Sequence, residues 1–307
     1  MSPSFFIIDF FIRYMRVLLL GSEGFVGKNL VDGLKDQHDL LTADIADTGS
    51  YENYQKFDIT NLDESLNLIK NFDVVINLVT HTLTQSLNDT ISNANTNIIG
   101  LLNVLEACKK NKVKKTIFTS ASSIIGVPED FHVNEKHLVI PKTAYGITKM
   151  ASEHYLRLYK EMYDLNYVIF RFFNIYGPHQ KNGLIPTFYK KIQNNEEITV
   201  FGEGKQIRDF VYVPDIIPFF NNAIINSKFD NAVYNLGTGT GTTIKEIIEK
   251  LASILSIKPK INFQPERPGE IGNFVSDTHF LNSKFDSIPK TSIEDGLKQT
   301  MLWLNKN

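Results

Sequence analysis

Cysteine is almost missing from this chain of 307 residues: Cys108 stands alone, so no internal disulfide and no cysteine-based metal cluster can form. It falls in the helical pattern LLNVLEACKK and reads as a small buried apolar side chain. Net charge is nearly missing too. Against 34 acidic residues stand 32 basic ones, a formal charge of −2. Without a basic field the chain is not expected to bind nucleic acid or a membrane surface. No apolar run reaches the length of a membrane span. The one near the start, SFFIIDFFI, is short and broken by Asp9, and it lacks the basic flank and small-residue cleavage site of a secretory leader. Residues 1–14 are read as an extension ahead of the fold, a cytoplasmic protein is expected, and no metal site is expected.

What is present is an ordinary globular composition, 42% hydrophobic and 21% charged, on a chain long enough for one large domain or two smaller ones. From Met15 onward, apolar runs of strand length alternate with helical patterns. Strands are expected at 16–20, 39–43, 54–58, 74–77, 116–120 and 168–172. Helices are expected at 25–34, 62–70, 91–110 and 144–163. That alternation predicts an α/β fold, a parallel sheet covered on both faces by right-handed crossovers. After Phe173 the texture changes: GPHQ, GLIP, FGEG, GTGTG and PERPGE punctuate shorter helices. Residues 15–173 are therefore assigned to a first domain, and 174–307 mainly to a smaller one, some segments of which return to the first.

Two constellations carry chemistry. In VLLLGSEGFVGKNL, Gly21, Gly24 and Gly27 lie between the first strand and the first helix. A glycine turn there lets a pyrophosphate approach the backbone, and the helix N-terminus offers unpaired N–H groups and positive dipole. Asp44 closes the next strand, where a carboxylate binds the adenine ribose hydroxyls and repels a 2′-phosphate, favouring NAD over NADP. The alternatives are a plain turn and a solvated strand end. In PKTAYGITKMASEHYL, Tyr145 and Lys149 stand four apart, on one helix face. A tyrosine hydroxyl titrates near pH ~10, too high for an efficient base at neutral pH, and an adjacent ammonium favours the phenolate. The bland alternative is a solvated helix face, but this is the one YxxxK among 12 tyrosines.

The glycine loop, the serine-rich strand end TSASSIIG (119–126) and the YxxxK pair about 20 residues later resemble the extended short-chain dehydrogenase/reductase family. Within it, the chain is similar to NAD-dependent nucleotide-sugar epimerases and dehydratases of the UDP-glucose 4-epimerase kind. The likeness runs over about residues 16–305, through FDITN, NANTNIIGLLNVLEAC, RFFNIYGPHQ, VFGEGKQIRDFVYVPDI, YNLGTG and ERPGEI. It implies a Rossmann-type doubly wound sheet with a smaller α/β substrate-binding cap. It also implies NAD contacts from Gly21, Gly24, Phe25, Val26, Gly27, Asp44, Asp58, Ile59, Leu78, Val79, Asn97, Ser120, Tyr145, Lys149 and Phe173. Asn174, Arg208 and Arg267 are implied to grip the pyrophosphate of a nucleotide sugar. Only six arginines occur in the chain, and a planar guanidinium suits bidentate phosphate contact. Alternatively Arg208 pairs with Asp209, and Arg267 is a surface charge. The resemblance further implies a homodimer formed through the helices at 91–110 and 144–163.

Three chemistries share this scaffold, each opened by oxidation at sugar C4 while the tyrosine takes the hydroxyl proton. A 4,6-dehydratase or a decarboxylase carries carboxylates just after the strand-end hydroxyl, where this chain has Ser122 and Ser123. The resemblance thus favours a 4-epimerase, with a nucleotide-4-keto-sugar reductase as runner-up and a non-catalytic NAD sensor as a third reading. One departure stands out. Counting back from Gly126, the family's Ser or Thr partner of the tyrosine falls on Ala121. Ser122 or Ser123 is expected to take over that role, unless Tyr145 and Lys149 act alone. His81, in NLVTHT, either lines the sugar pocket or is a satisfied loop histidine.

Overall fold

A computed structural model describes residues 14–265, 273–285 and 288–306. Its frame is a seven-stranded sheet. Five strands come first in the chain: β1 (Arg16–Leu20), β2 (Asp39–Asp44), β3 (Tyr54–Lys56), β4 (Val74–Asn77) and β5 (Lys115–Ala121). From one edge the order is Ala232–Leu236, Asn166–Phe172, β5, β4, β1, β2, β3, and every pair is parallel. The apolar runs follow from this placement. Val17 and Leu19 face one core while Leu18 and Leu20 face the other, so a central strand buried on both sides has no room for polar alternation. Chain order reverses between β1 and β4, where Leu20 pairs with both Ala43 and Asn77. A crevice opens at that point beyond the carboxyl ends of the strands, the usual ligand position in such sheets.

After Asn166–Phe172 a single residue, Phe173, separates the main sheet from a second one made of Asn174–Tyr176, Ile207–Tyr212 and Gly241–Thr243. The parallel pair Glu197–Phe201 and Lys260–Gln264 and the helices Leu184–Gln193, Ile244–Leu255 and Ile293–Lys306 complete this smaller lobe. Its core gathers Tyr176, Tyr189, Ile247, Leu251 and Leu297. Two later segments pack with the main sheet. Helix Ile217–Ile225 buries Phe219 and Phe220 in the main core, and Ala232–Leu236 becomes an edge strand of the main sheet. Among the described residues no helix is long and apolar enough to cross a membrane.

Two elements differ from the sequence expectation. The helix expected over 91–110 runs as Thr90–Ala94 and Gly100–Asn111 joined by a wider π-helical turn, Asn95–Ile99. Such turns are typical of functional sites, and this one carries Asn97, which is buried. β5 runs on to Ala121, so the alanine belongs to the strand while Ser122–Ile124 form a tight turn beyond it.

Candidate active site

The crevice is lined first by the glycine turn. Gly21 adopts φ +87, and a Cβ there would lie 3.0 Å from the Val79 nitrogen of the β4 end. Gly27 is constrained by packing instead: its Cβ would fall 2.2 Å from the Gly21 carbonyl oxygen. The helix Phe25–Leu34 starts at Gly24 with no side-chain cap and no acidic residue in its first turn. Its leading N–H groups are thus left for an anion. Asp44 ends β2 beside this turn, where one oxygen accepts the Glu23 N–H at 2.9 Å and the other the Ala46 N–H at 3.4 Å.

A cavity of about 610 Å³ runs over these residues, bringing together Gly21, Gly24, Phe25, Val26, Gly27, Asp44, Asp58, Ile59, Leu78 and Val79. It shares Phe25, Val26, Leu78 and Thr80 with a second cavity of about 450 Å³, lined by Ser120, Ala121, Ser122, Ser123, Tyr145, Lys149, Phe173 and Asn174. Asn174 in turn borders a third space with Arg208, Thr199 and Phe210, inside the smaller lobe. The three form one groove, from the glycine turn past the tyrosine and lysine to the cap.

The groove fits NAD on the chain's own terms. It offers a cradle that a Cβ at Gly27 would fill, which suits a pyrophosphate, an oriented carboxylate at Asp44, which suits ribose hydroxyls, and a Ser120 hydroxyl buried without a hydrogen-bond partner among the described residues. Asn97 departs from the expected cofactor contact. Its amide is consumed inside the protein: Oδ1 accepts from the His81 N–H at 2.7 Å, and Nδ2 donates to the Thr148 hydroxyl at 3.0 Å. It ties the β4 end to the helix bearing Tyr145 and Lys149, and it does not line the groove.

Tyr145 lies in the first turn of helix Ala144–Tyr163, which Thr143 caps by accepting the Gly146 N–H at 3.0 Å. Four residues on, the Lys149 ammonium is buried, donates to the Thr119 carbonyl at 2.7 Å and sits 5.7 Å from the Tyr145 ring centre. Thus Thr119, the first residue of TSASSIIG, anchors the lysine through its backbone. Desolvation pushes the Tyr145 phenol up to about 12 and Lys149 down to about 7, the latter opposed by the nearby Glu153 charge. Burial thus disfavours the charged form of both groups. The Ser123 hydroxyl is buried in the cavity wall without a partner among the described residues.

Other expectations resolve differently. His81 lines the dinucleotide half of the groove, not the half with Tyr145. The Asp209 carboxylate is directed inward, accepting from Thr238, Gly239 and Ser276, and Asn174 donates to the Asp209 carbonyl at 3.3 Å. Arg267 lies outside the described residues. Sequence reasoning missed Thr80, which lines both the dinucleotide half of the groove and the half with Tyr145, and the buried pair of Glu153 and Arg171, bonded at 2.9 and 2.8 Å. The only signal for Thr80 was a hydroxyl three residues past a strand end, in the same NLVTHT that drew attention to His81.

Comparison with known proteins agrees with this groove. A UDP-glucose 4-epimerase of Mycolicibacterium smegmatis is 28% identical, covering 94% of this chain and 97% of its own. The crystal structure of UDP-glucose 4-epimerase from Thermotoga maritima with UDP-glucose superposes with a TM-score of 0.89 at 30% identity, covering 95% of this chain and 99% of that one. The Thermus thermophilus UDP-glucose 4-epimerase in complex with NAD gives 0.87 at 28% identity, covering the same shares, 95% and 99%. The sequence profile of the NAD dependent epimerase/dehydratase family matches residues 17–237, which span the glycine turn, the tyrosine and lysine and the start of the cap, and the chain belongs to that family.

Proposed function

We propose that this protein is a NAD-dependent nucleotide-sugar 4-epimerase, acting on a UDP-sugar through a transient 4-keto sugar. One observation carries the choice within the family. Around Tyr145, the described cavity wall holds no carboxylate and no imidazole; its titratable groups are Tyr145, Lys149 and Tyr176. Eliminating water or carbon dioxide needs further acid–base groups beside the sugar, whereas inversion at C4 needs one group that takes and returns a proton. Tyr145 has that position. NAD, when bound along the groove, supplies the reversible oxidation of the carbon bearing the proton-shuttling hydroxyl. Lys149 fixes the geometry through Thr119 and adds positive charge beside the phenol as it protonates. Asn174 and Arg208, across the groove, hold the nucleotide diphosphate while the sugar turns between its two faces.

The same reading includes a homodimer. Helix Ala144–Tyr163 and the neighbouring Thr90–Asn111 stretch expose Ile91, Ile99, Ile147, Met162 and Tyr163, apolar side chains suited to a bundle with a second copy. Light scattering on the purified protein tests it, and a monomer at micromolar concentration contradicts it.

The functional test is incubation with UDP-glucose, UDP-N-acetylglucosamine and UDP-glucuronate, without added cofactor, followed by NMR of the C4 configuration. Interconversion of C4 epimers by the wild type, lost in Tyr145→Phe with NAD still retained, is the expected result. Consumption of NADH with a nucleotide-linked 4-keto sugar, without epimerisation, would reassign the protein as a reductase. Retained NAD with neither reaction would make it a sensor.

A further inference from the structure

The glycine turn uses the backbone N–H of each residue from Gly21 to Gly24 internally. Gly21 and Ser22 donate to the Ala43 carbonyl at 2.8 and 3.3 Å, Glu23 donates to the Asp44 carboxylate at 2.9 Å, and Gly24 donates to the Gly21 carbonyl at 3.3 Å. The turn is thereby laced to the end of β2. Beyond Asp44 a loop carries the chain to β3, and its first residue, Ile45, lines the dinucleotide cavity beside Asp44. The placement of that loop therefore sets one wall of the cofactor groove.

From the β3 side the loop is held by Tyr54 and Lys56. The Tyr54 hydroxyl lies within hydrogen-bond reach of the Asp44 and Ala46 carbonyls, and the Lys56 ammonium pairs with Asp47 at 2.6 Å. From the other side it is held by Glu23. Oε1 of Glu23 accepts both the Ser50 N–H at 2.8 Å and the Ser50 hydroxyl at 2.9 Å, while Oε2 lies 3.1 Å from the Lys28 ammonium of the following helix. One residue thus clasps both ends of the loop, Asp44 with its N–H and Ser50 with its carboxylate. Ser22, the turn's other side chain, makes no such tie: its hydroxyl is buried without a partner among the described residues. Hydrogen bonds accepted by a carboxylate are stronger than neutral ones, and the Glu23 side chain is only 15% exposed, so the clasp is partly shielded from water.

We propose that Glu23 is a positioning residue for the cofactor: by clasping Asp44 and Ser50 it keeps the loop 45–50 closed against the glycine turn and slows the release of NAD. NAD seated over the turn and Asp44 leaves more readily when that wall opens, and Glu23 is what joins the wall to the turn. On the epimerase reading the tie has a use. A cycle that oxidises and then reduces the same carbon returns NAD to its starting state, so the cofactor need not leave between turnovers and slow release does not limit the rate. The inference itself rests on the cofactor and not on that reading, because it is measured on bound NAD.

The test compares NAD-loaded wild type with Glu23→Ala, Glu23→Gln and Ser50→Ala. NAD leaving the folded protein is followed with a coupled dehydrogenase that reduces free NAD, and amide hydrogen exchange is followed by mass spectrometry. In Glu23→Ala, NAD should leave about tenfold faster, and residues 45–52 should exchange faster while the strands of the main sheet exchange as in wild type. Glu23→Gln, which keeps an acceptor for Ser50, should stay within about threefold of wild type. Ser50→Ala, which keeps the backbone N–H, should release NAD about threefold faster. Release from Glu23→Ala at the wild-type rate overturns the proposal, and so does unchanged exchange over 45–52. Faster exchange throughout the main sheet would mean that Glu23 serves folding at large, and the cofactor role falls. Should Glu23→Gln release NAD as fast as Glu23→Ala, the Lys28 pair matters and the Ser50 clasp does not, and the proposal fails. If Glu23→Ala does not fold, Ser50→Ala on the exposed loop decides: release at the wild-type rate overturns the proposal. Absence of turnover with every UDP-sugar would strike the epimerase reading and leave NAD release to decide the role of Glu23.

Discussion

Glu153 closes both carboxylate oxygens on the Arg171 guanidinium, Oε1 on Nε at 2.9 Å and Oε2 on Nη2 at 2.8 Å, with both side chains 3% exposed. Glu153 lies one turn beyond Lys149 on the same helix, and Arg171 is the cross-strand partner of Ser120. The pair therefore locks the helix carrying Tyr145 and Lys149 to the strands that end in the active site. Arg171 is held further by its Nη1, which donates to the Glu135 carbonyl at 3.1 Å.

Breaking that pair from one side should be far worse than removing both charges. Arg171→Leu leaves a buried carboxylate with only the half-exposed Arg157 at 3.2 Å, and the loss should be about 3–5 kcal/mol in urea unfolding. Arg171→Leu combined with Glu153→Leu should recover much of it. A single variant that loses less than about 1 kcal/mol would show that the pair is not desolvated as its geometry indicates.

The glycine turn separates two kinds of requirement. A methyl at Gly27 meets the Gly21 carbonyl oxygen at 2.2 Å, whereas one at Gly24 stays 3.3 Å from the same atom. Gly27→Ala should therefore lose at least about tenfold in NAD affinity, because the helix start must lift away from the turn that it closes. Gly24→Ala should lose less. NAD released on denaturation, measured per protein chain, reads both. Equal NAD content in the two variants would mean that the turn yields where its packing says it cannot.

Lys149 makes stability depend on pH in a stated direction. Burial holds it down to about 7, while in the unfolded chain it titrates at the ordinary value of 10.5. Between those limits the unfolded state binds a proton that the folded state does not, so stability rises with pH across that window and is flat below it. In NAD-free protein, Lys149→Met should flatten the rise, by on the order of a few kcal/mol between pH 7 and pH 10. Urea unfolding of the two proteins at several pH values checks this, and parallel curves would show that Lys149 stays charged when folded.

Much of this was legible because it is local. Strand-length apolar runs, three glycines at a strand–helix junction and a tyrosine four residues before a lysine are each contained in one short segment. What stayed hidden depends on strand order. Thr80 lines one cavity with Tyr145 only because β4 lies beside β5, and no spacing in NLVTHT signals that placement. Arg171 and Glu153 are 18 apart in the chain, joined by a crossover that the alternation predicts without its register. The π-helical turn escaped for another reason. NANTNIIGLLNV keeps an ordinary helical pattern, and the extra residue in the turn is selected by the tertiary hydrogen bonds of Asn97. Ala121 was legible as a departure only against the resemblance.

The two serines after Ala121 should separate activity from stability. Ser123 Oγ is buried with no hydrogen-bond partner among the described residues, so it costs the protein an unpaired polar group that apolar replacement would remove. Such a cost is retained where a ligand satisfies it. Ser123→Ala should therefore leave the NAD-free protein as stable as wild type or slightly more so, while kcat/KM for the UDP-sugar falls about tenfold. Ser122→Ala, which removes a hydroxyl that is not buried and unpaired, should change kcat/KM less than about threefold. Unfolding and initial-rate measurements on the same preparations decide it. If both variants turn over like wild type, neither serine reaches the sugar, and the hydroxyl chemistry of the site falls to Tyr145.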